Sequence, residues 1–273
     1  MRTSERVLAN VLRGRSASAA RAARLRTAPP PMQVVILAAG MGTRLGRDDP
    51  KPLTPLSDGR SILERQLAGL RSVLGERVPI TAVVGYRCDL IMRAAPDLTF
   101  AYNPHFASTN TSKSLLRGLQ NSRDGGVLWL NGDVVFDPAV LELVLPFLHA
   151  DQSFVCVDTN TVAEEEVKYT LDEQGFVREL SKTVVGGLGE AVGINYVSSA
   201  DKAALIAHLE ACGDQDYFER GIETAIAEVG LRFRPLDISA FSAVEVDFES
   251  DLERANMLFW GSSAVLPLAA EVS

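Results

Sequence analysis

Residues 34–46 read Val34-Val35-Ile36-Leu37-Ala38-Ala39-Gly40-Met41-Gly42-Thr43-Arg44-Leu45-Gly46, and Lys51-Pro52 follow shortly after. An apolar run stops abruptly at glycines. Such a run reads as a strand covered on both faces. Glycines after it let backbone come close to a ligand. Spacing excludes two familiar phosphate loops. The Walker loop needs GxxxxGK followed by Ser or Thr, and here the lysine is not adjacent to the glycines. The dinucleotide fingerprint GxGxxG needs a glycine where Leu45 stands, and Gly46 comes one position late.

Outward from this stretch, strand-like and helix-like segments alternate. Residues 33–38, 79–84, 99–103 and 127–130 read as strands. Residues 61–74 put Ile62, Leu63, Leu67, Leu70 and Leu74 on one helical face, with Ser61 as a cap. Residues 112–121 and 138–148 also read as helices. This rhythm implies a largely parallel sheet with helices on both faces. Ligands of such sheets sit beyond the carboxyl ends of the strands, where the glycine loop and Asp133 fall. In the second half, 153–158, 167–171 and 176–180 read as strands, with Glu173-Gln174-Gly175 as a turn. Residues 201–211 and 216–229 read as helices, 242–247 as a last strand and 249–259 as a closing helix. With no internal repeat or long linker, this half is expected on the same sheet.

The chain has 273 residues, 47% hydrophobic and 23% charged, as in an ordinary globular protein. No apolar stretch approaches the roughly 20 residues that cross a bilayer, so no membrane insertion is expected. Cys88, Cys156 and Cys212 are odd in number and far apart, which fits free thiols in a reducing cytoplasm better than a disulfide framework or zinc site. The net charge of −8 is unevenly spread. Residues 1–31 hold seven arginines and one acidic residue, so the remainder, with 20 basic and 34 acidic side chains, stands at −14. An acidic body argues against nucleic-acid binding. Residues 1–31 end in three prolines and leave three readings open: a poorly ordered or helical extension, a targeting segment, or a nucleic-acid or partner-binding arm. The domain is expected over 32–260, with 261–273 as a tail.

In an acidic protein, an anionic ligand needs local positive charge. Small residues at Ala38, Ala39, Gly40 and Gly42 let backbone N–H groups form a nest for phosphate oxygens. Arg44 can add a forked contact, and Lys51 a point charge. Asp133 ends the strand LWLNGD. The late strand ends in Glu245-Val246-Asp247, and period-two spacing turns its two carboxylates to one face. Three carboxylates at strand ends supply the hard oxygens that Mg²⁺ needs between phosphates.

VVILAAGMGTRLG followed by KPL closely resembles the motif of the sugar-phosphate type of nucleotidyltransferase. The resemblance implies a Rossmann-like α/β/α sandwich with a mostly parallel sheet, of the GT-A-like kind. It implies that Leu37, Ala38, Ala39, Gly40, Gly42 and Thr43 surround the nucleotide, and that Arg44 and Lys51 stabilise the leaving pyrophosphate. It also implies that Asp133 and Asp247, with Glu245 nearby, hold Mg²⁺. Gly85-Tyr86, Asn103-Pro104 and the segment Asn110-Thr111-Ser112-Lys113-Ser114-Leu115 resemble CTP-using members, in which Asn110, Ser112 and Ser114 would lie by the pyrimidine. Thr111 and Lys113 depart from that pattern.

The stretch from Lys168 to Lys182, with Glu190 and Gly193 beyond it, resembles the family's acceptor hairpin. There Lys168 and Lys182 would meet the acceptor phosphate, and Glu190 would line the cavity. Asp216-Tyr217-Phe218-Glu219 is similar to the acidic-aromatic segments by which phosphocholine cytidylyltransferases embrace a quaternary ammonium, a pairing suited to cations. His105, His149 and His208 are scattered and suggest no histidine catalysis. The resulting expectation is a Mg²⁺-dependent cytidylyltransferase of the phosphocholine or phosphonate branch. It would move CMP from CTP to phosphocholine, phosphoethanolamine or an aminoalkylphosphonate, with a homodimer as a compatible assembly. The alternatives are a sugar-1-phosphate nucleotidyltransferase using another NTP, and a non-catalytic nucleotide-binding regulatory module.

Overall fold

β1 (Gln33–Ala38) is buried along its whole length, and its alternate side chains enter two different cores. Val34, Ile36 and Ala38 pack on one face of the sheet, and Val35 and Leu37 on the other. That explains a continuous apolar run: period-two alternation with no solvent face. The structure is a computed structural model, and it describes residues 32–160 and 166–260. The expected extension and tail, at 1–31 and 261–273, lie outside the described residues.

The other strands are β2 (Ile80–Val84), β3 (Thr99–Tyr102), β4 (Val127–Asn131), β5 (Val134–Phe136), β6 (Phe154–Asp158), β7 (Lys168–Leu171), β8 (Val177–Ser181), β9 (Glu190–Val197), β10 (Arg234–Asp237) and β11 (Ala243–Glu245). The helices are α1 (Ile62–Leu74), α2 (Cys88–Ala94), α3 (Thr111–Gln120), α4 (Ala139–His149), α5 (Lys202–Ala211), α6 (Phe218–Val229) and α7 (Glu249–Trp260). The main sheet runs β10-β6-β9-β4-β1-β2-β3, with the hairpin β7–β8 attached to β9. Neighbours are parallel except at β9, which is antiparallel to both β4 and β6. The expected mostly parallel α/β sheet is therefore what the chain forms.

Helices cover both faces. Leu63, Leu67 and Leu70 of α1 and Val140, Val144 and Leu148 of α4 join the first core. Leu115 and Leu119 of α3, Leu205 and Leu209 of α5, and Phe218 and Ile222 of α6 join the second. Trp129 of β4 meets Phe218 edge-on, with ring centres 5.7 Å apart. Ser61 caps α1 in a reciprocal box with Glu64, as its position suggests.

One expectation is corrected. The late strand does not join the main sheet. β11 pairs antiparallel with β5, a three-residue strand that leaves β4 through Gly132-Asp133. Gly132 donates its N–H to Leu37 at 2.9 Å, and a Cβ there would stand 2.6 Å from the same carbonyl. The chain therefore leaves the sheet at this glycine, and β5 becomes a free edge for β11. A third core, with Leu45, Leu56, Val135, Val246 and Leu252, packs the glycine loop, this ribbon and α7 together.

Candidate active site

Backbone pairing sets the site first. Val246 donates its N–H to the Asp133 carbonyl at 3.0 Å, and Ala39 accepts from Tyr86 at 3.1 Å. The first contact places Glu245 and Asp247 on either side of Asp133, although more than a hundred residues separate them. The second ties the start of the glycine loop to the end of β2. Gly85 is obligatory there: a Cβ would lie 2.5 Å from Phe106 and 2.7 Å from the Ala39 carbonyl. The Tyr86 hydroxyl donates to the Asp48 carbonyl at 3.2 Å and steadies the far side of the loop. Gly42 takes the left-handed conformation at φ 61°, which a side chain resists.

Side chains then converge. The Lys51 ammonium donates to Asp133 at 3.2 Å and to Asp247. Arg44 donates to the other Asp247 oxygen at 2.9 Å. The expected phosphate-binding cations and two of the expected carboxylates thus form one cluster at the ends of β1 and β4. Burial opposes the Lys51 charge, but Asp133 and Asp247 outweigh it and raise its pKa. Burial pushes Asp247 up, yet Lys51 and Arg44 bring it net down, so it stays ionised. Asp133 is raised by burial, against the pull of Lys51.

Glu245 behaves differently. It is bonded by the Asn131 side-chain amide, and burial, then the Asp133 charge, push its pKa up to about 8. Among the described residues, no three His, Cys, Asp or Glu side chains are grouped to hold a metal. Of the three expected carboxylates, Asp133 and Asp247 share the Lys51 ammonium, and Glu245 is held by the Asn131 amide. The pair still fits Mg²⁺: two hard oxygens already converge on one cation, the Lys51 ammonium.

The residues expected to bind the acceptor lie on the adjoining side. Lys182 follows β8, and its ammonium lies 4.8 Å from the centre of the Tyr217 ring. Tyr217 also interacts electrostatically with Arg44, so this ring borders both halves of the expected site. Lys168 stands opposite Ser181 and Glu190 in the β7–β8–β9 ladder. Asp216 accepts the Gly213 N–H at 2.8 Å and closes a turn. The inward carboxylate of this segment is Glu219, only 9% exposed, with one oxygen lacking a hydrogen-bond partner. Burial raises its pKa to about 7, with Lys182 opposing and Glu166 adding to the rise.

The sequence profile of the MobA-like NTP transferase domain matches residues 34–227. The chain belongs to that family. This NTP transferase is 28% identical over 266 residues to CMP-5'-(3-aminopropyl)phosphonate synthase of Streptomyces rubellomurinus (strain ATCC 31215), a match covering 84% of this chain and 39% of the relative. It is 38% identical over 109 residues to Bifunctional protein GlmU of Picosynechococcus sp. (strain ATCC 27264 / PCC 7002 / PR-6), covering 37% of this chain and 22% of the relative. The NTP transferase therefore spans well under half the length of both. Two solved structures share the fold at 16% identity. The inositol-1-phosphate CTP transferase from T. maritima has a TM-score of 0.69 over 85% of this chain and 98% of that one. The CTP:phosphocholine cytidylyltransferase from Streptococcus pneumoniae has 0.66 over 84% and 100%.

In this NTP transferase the departures at Thr111 and Lys113 have a structural account. The Thr111 hydroxyl accepts the Phe218 N–H at 3.1 Å, at the start of α6. Lys113 donates to the carbonyls of Leu209, Glu210 and Cys212 at the end of α5. The segment expected by the pyrimidine also locks the second helix layer. Asn110 caps α3 by accepting the Thr111 N–H, Ser114 is buried and accepts from Asn103, and Ser112 is wholly buried with its hydroxyl unpartnered. Sequence reasoning included Glu219 in the acidic-aromatic segment but chose Asp216 and Tyr217 from it as the binding residues, and it left out Glu166 and Asn131. A signal for Glu219 existed: it sits between Phe218 and Ile222, on the buried stripe of an amphipathic helix.

Proposed function

We propose that this NTP transferase moves CMP from CTP to a small phosphate or phosphonate carrying an amine, and releases pyrophosphate. The observation that carries the reading is the single cluster of Arg44, Lys51, Asp133 and Asp247, with Tyr217 linking Arg44 to Lys182. The aminopropylphosphonate relative supports the cytidylyl donor and the amine-bearing acceptor.

In this mechanism the loop's backbone N–H groups and Arg44 hold the triphosphate. Lys51 neutralises the charge that develops on the departing pyrophosphate. Asp133 and Asp247 would hold Mg²⁺, which supplies further neutralisation of phosphate oxygens when bound. Lys182 draws the acceptor dianion toward the α-phosphorus and lowers its repulsion from the nucleotide. One acceptor oxygen then bonds to the α-phosphorus as the α–β bridging bond breaks, and the electron pair leaves on pyrophosphate. An acceptor dianion is already nucleophilic, so no general base is required. Catalysis is positioning and charge neutralisation. Glu219, with Tyr217 beside it, meets the acceptor's ammonium.

The test is CTP-dependent pyrophosphate release across choline, ethanolamine, inositol, sugar and phosphonate acceptors, with Mg²⁺ present and absent. Release is expected with CTP and an amine-bearing acceptor. No release from CTP with any of them overturns the reading. The partial matches to Bifunctional protein GlmU favour one second reading, a sugar-1-phosphate transferase using another NTP. A clear preference for UTP, ATP or dTTP with a sugar phosphate would establish it.

A further inference from the structure

We propose that Lys51 fills the divalent-cation seat in the ligand-free protein, so that cation and nucleotide bind as a coupled pair. This rests on the reading of Asp133 and Asp247 as the residues that hold the cation.

The Lys51 ammonium lies between two carboxylates brought from distant parts of the chain. Its side chain is only 12% exposed, against 55% for Arg44. Lys51 is thus an enclosed counterion, and Arg44 a rim charge. The loop is shaped for that inward position. Gly42 lies against the lysine stem, and a Cβ there would stand 2.6 Å from the Lys51 Cγ. Asp247 is in turn fixed from behind, since its N–H and that of Phe248 donate to Asp251 at 3.1 and 2.8 Å. The backbone that carries Asp247 is therefore held without help from Lys51.

Two cations cannot share this seat. A divalent ion arriving alone must expel an ammonium from partly buried partners, and an unpaired charge left there is costly. A triphosphate changes the balance. It offers new anions to Lys51 and Arg44 on the same loop, and these charge-assisted contacts draw Lys51 off the carboxylates. The seat then opens as the nucleotide arrives. By linkage, bound cation strengthens nucleotide binding by the same factor.

The experiment measures Mn²⁺ binding to the full chain without nucleotide, by the loss of the free-ion EPR signal. Lys51→Met is expected to bind Mn²⁺ at least about tenfold more tightly than the parent protein, a factor that one lost charge competition readily produces. Lys51→Arg, which keeps the charge, is expected to show no gain. Lys51→Gln, which keeps a donor for the carboxylates, is measured beside Lys51→Met, so that a folding defect in one form does not decide the outcome. Adding Asp133→Asn to either neutral variant is expected to abolish the gain. If neither neutral variant binds Mn²⁺ more tightly while CTP turnover still requires a divalent ion, the exchange is overturned and the cation reading stands. If the gain survives Asp133→Asn, the seat itself is misassigned and both fall.

Discussion

The Lys182 ammonium lies 4.8 Å from the centre of the Tyr217 ring, and the same residue interacts electrostatically with Arg44. One aromatic side chain thus separates the lysine proposed to meet the acceptor from the arginine proposed to hold the triphosphate. Lys182→Met is expected to raise the acceptor KM at least about tenfold, with the CTP KM within about twofold of the parent. Tyr217→Phe keeps the ring under Lys182 and removes only the hydroxyl that interacts with Arg44. It is expected to shift the CTP KM alone. Steady-state kinetics with each substrate varied separately checks both, and an unchanged acceptor KM in Lys182→Met would remove that lysine from the acceptor site.

Asp133→Asn keeps the shape of the side chain and removes its charge. Lys51 retains Asp247, so the cluster does not lose its only anion. Turnover is expected to fall on the order of a hundredfold to a thousandfold, the scale of losing one preorganised charge at a reacting phosphate. Because Lys51 is enclosed but keeps Asp247 as a partner, thermal stability is expected to fall by about 1–3 kcal/mol, as when one partner of a buried polar contact is removed. Near-parental turnover at saturating Mg²⁺ would sink the assignment of Asp133.

Much of this arrangement was legible in the sequence, and the gaps have physical causes. The apolar run at 34–39 marks β1 because both sheet faces are covered. The same run could not show that residues 243–245 leave the sheet, since that depends on a free edge created at Gly132. β9 was hidden by Gly193, which reads as a break; in the structure a Cβ there would stand 2.7 Å from the Asn131 amide. β10 contains Pro235, which demotes a strand signal, and it does lie at a sheet edge. α2 starts from Arg87 at φ 43° with no side-chain cap, so no start signal preceded it. For the site, residue type named Arg44, Lys51, Asp133 and Asp247. It ranked Asp247 above Glu245 but could not show the Asn131 amide that holds Glu245, a partner met only in the folded chain.

Glu219 makes stability depend on pH. Its ordinary value is 4.5, and burial raises it to about 7 in the folded protein. Between those values the folded chain holds a proton that the unfolded chain has lost, so stability falls as pH rises through that window. The loss is up to about 3 kcal/mol by pH 7. Glu219→Gln, uncharged throughout, is expected to flatten this slope and to be the more stable form at pH 8. If Glu219 also meets the acceptor's ammonium, the parent enzyme's acceptor affinity rises through pH 7 as the carboxylate ionises, and the variant loses that rise. Thermal unfolding at pH 5 and pH 8, with acceptor KM at each, separates the two effects. Parallel stability curves for the two proteins would count against a protonated Glu219.

Lys113 tests whether the segment at 110–115 reads the nucleotide or holds helices together. The last carbonyls of a helix lack partners within it. The Lys113 ammonium supplies one to Leu209 at 3.2 Å and Glu210 at 3.1 Å, and also reaches Cys212. α5 packs with α6, whose first turn carries Phe218 and Glu219, so loosening this end of α5 loosens the wall of the acceptor side. Lys113→Met is expected to cost about 1–3 kcal/mol, the range for hydrogen bonds to a charged group, and to leave the CTP KM within about twofold. Lys113→Arg, with its longer fork, is expected to recover part of the loss. Chemical denaturation and CTP kinetics of the three proteins decide the matter. A tenfold rise in CTP KM with unchanged stability would place Lys113 in the nucleotide site, beside Ser112 and Ser114, despite its departure from the pattern expected there.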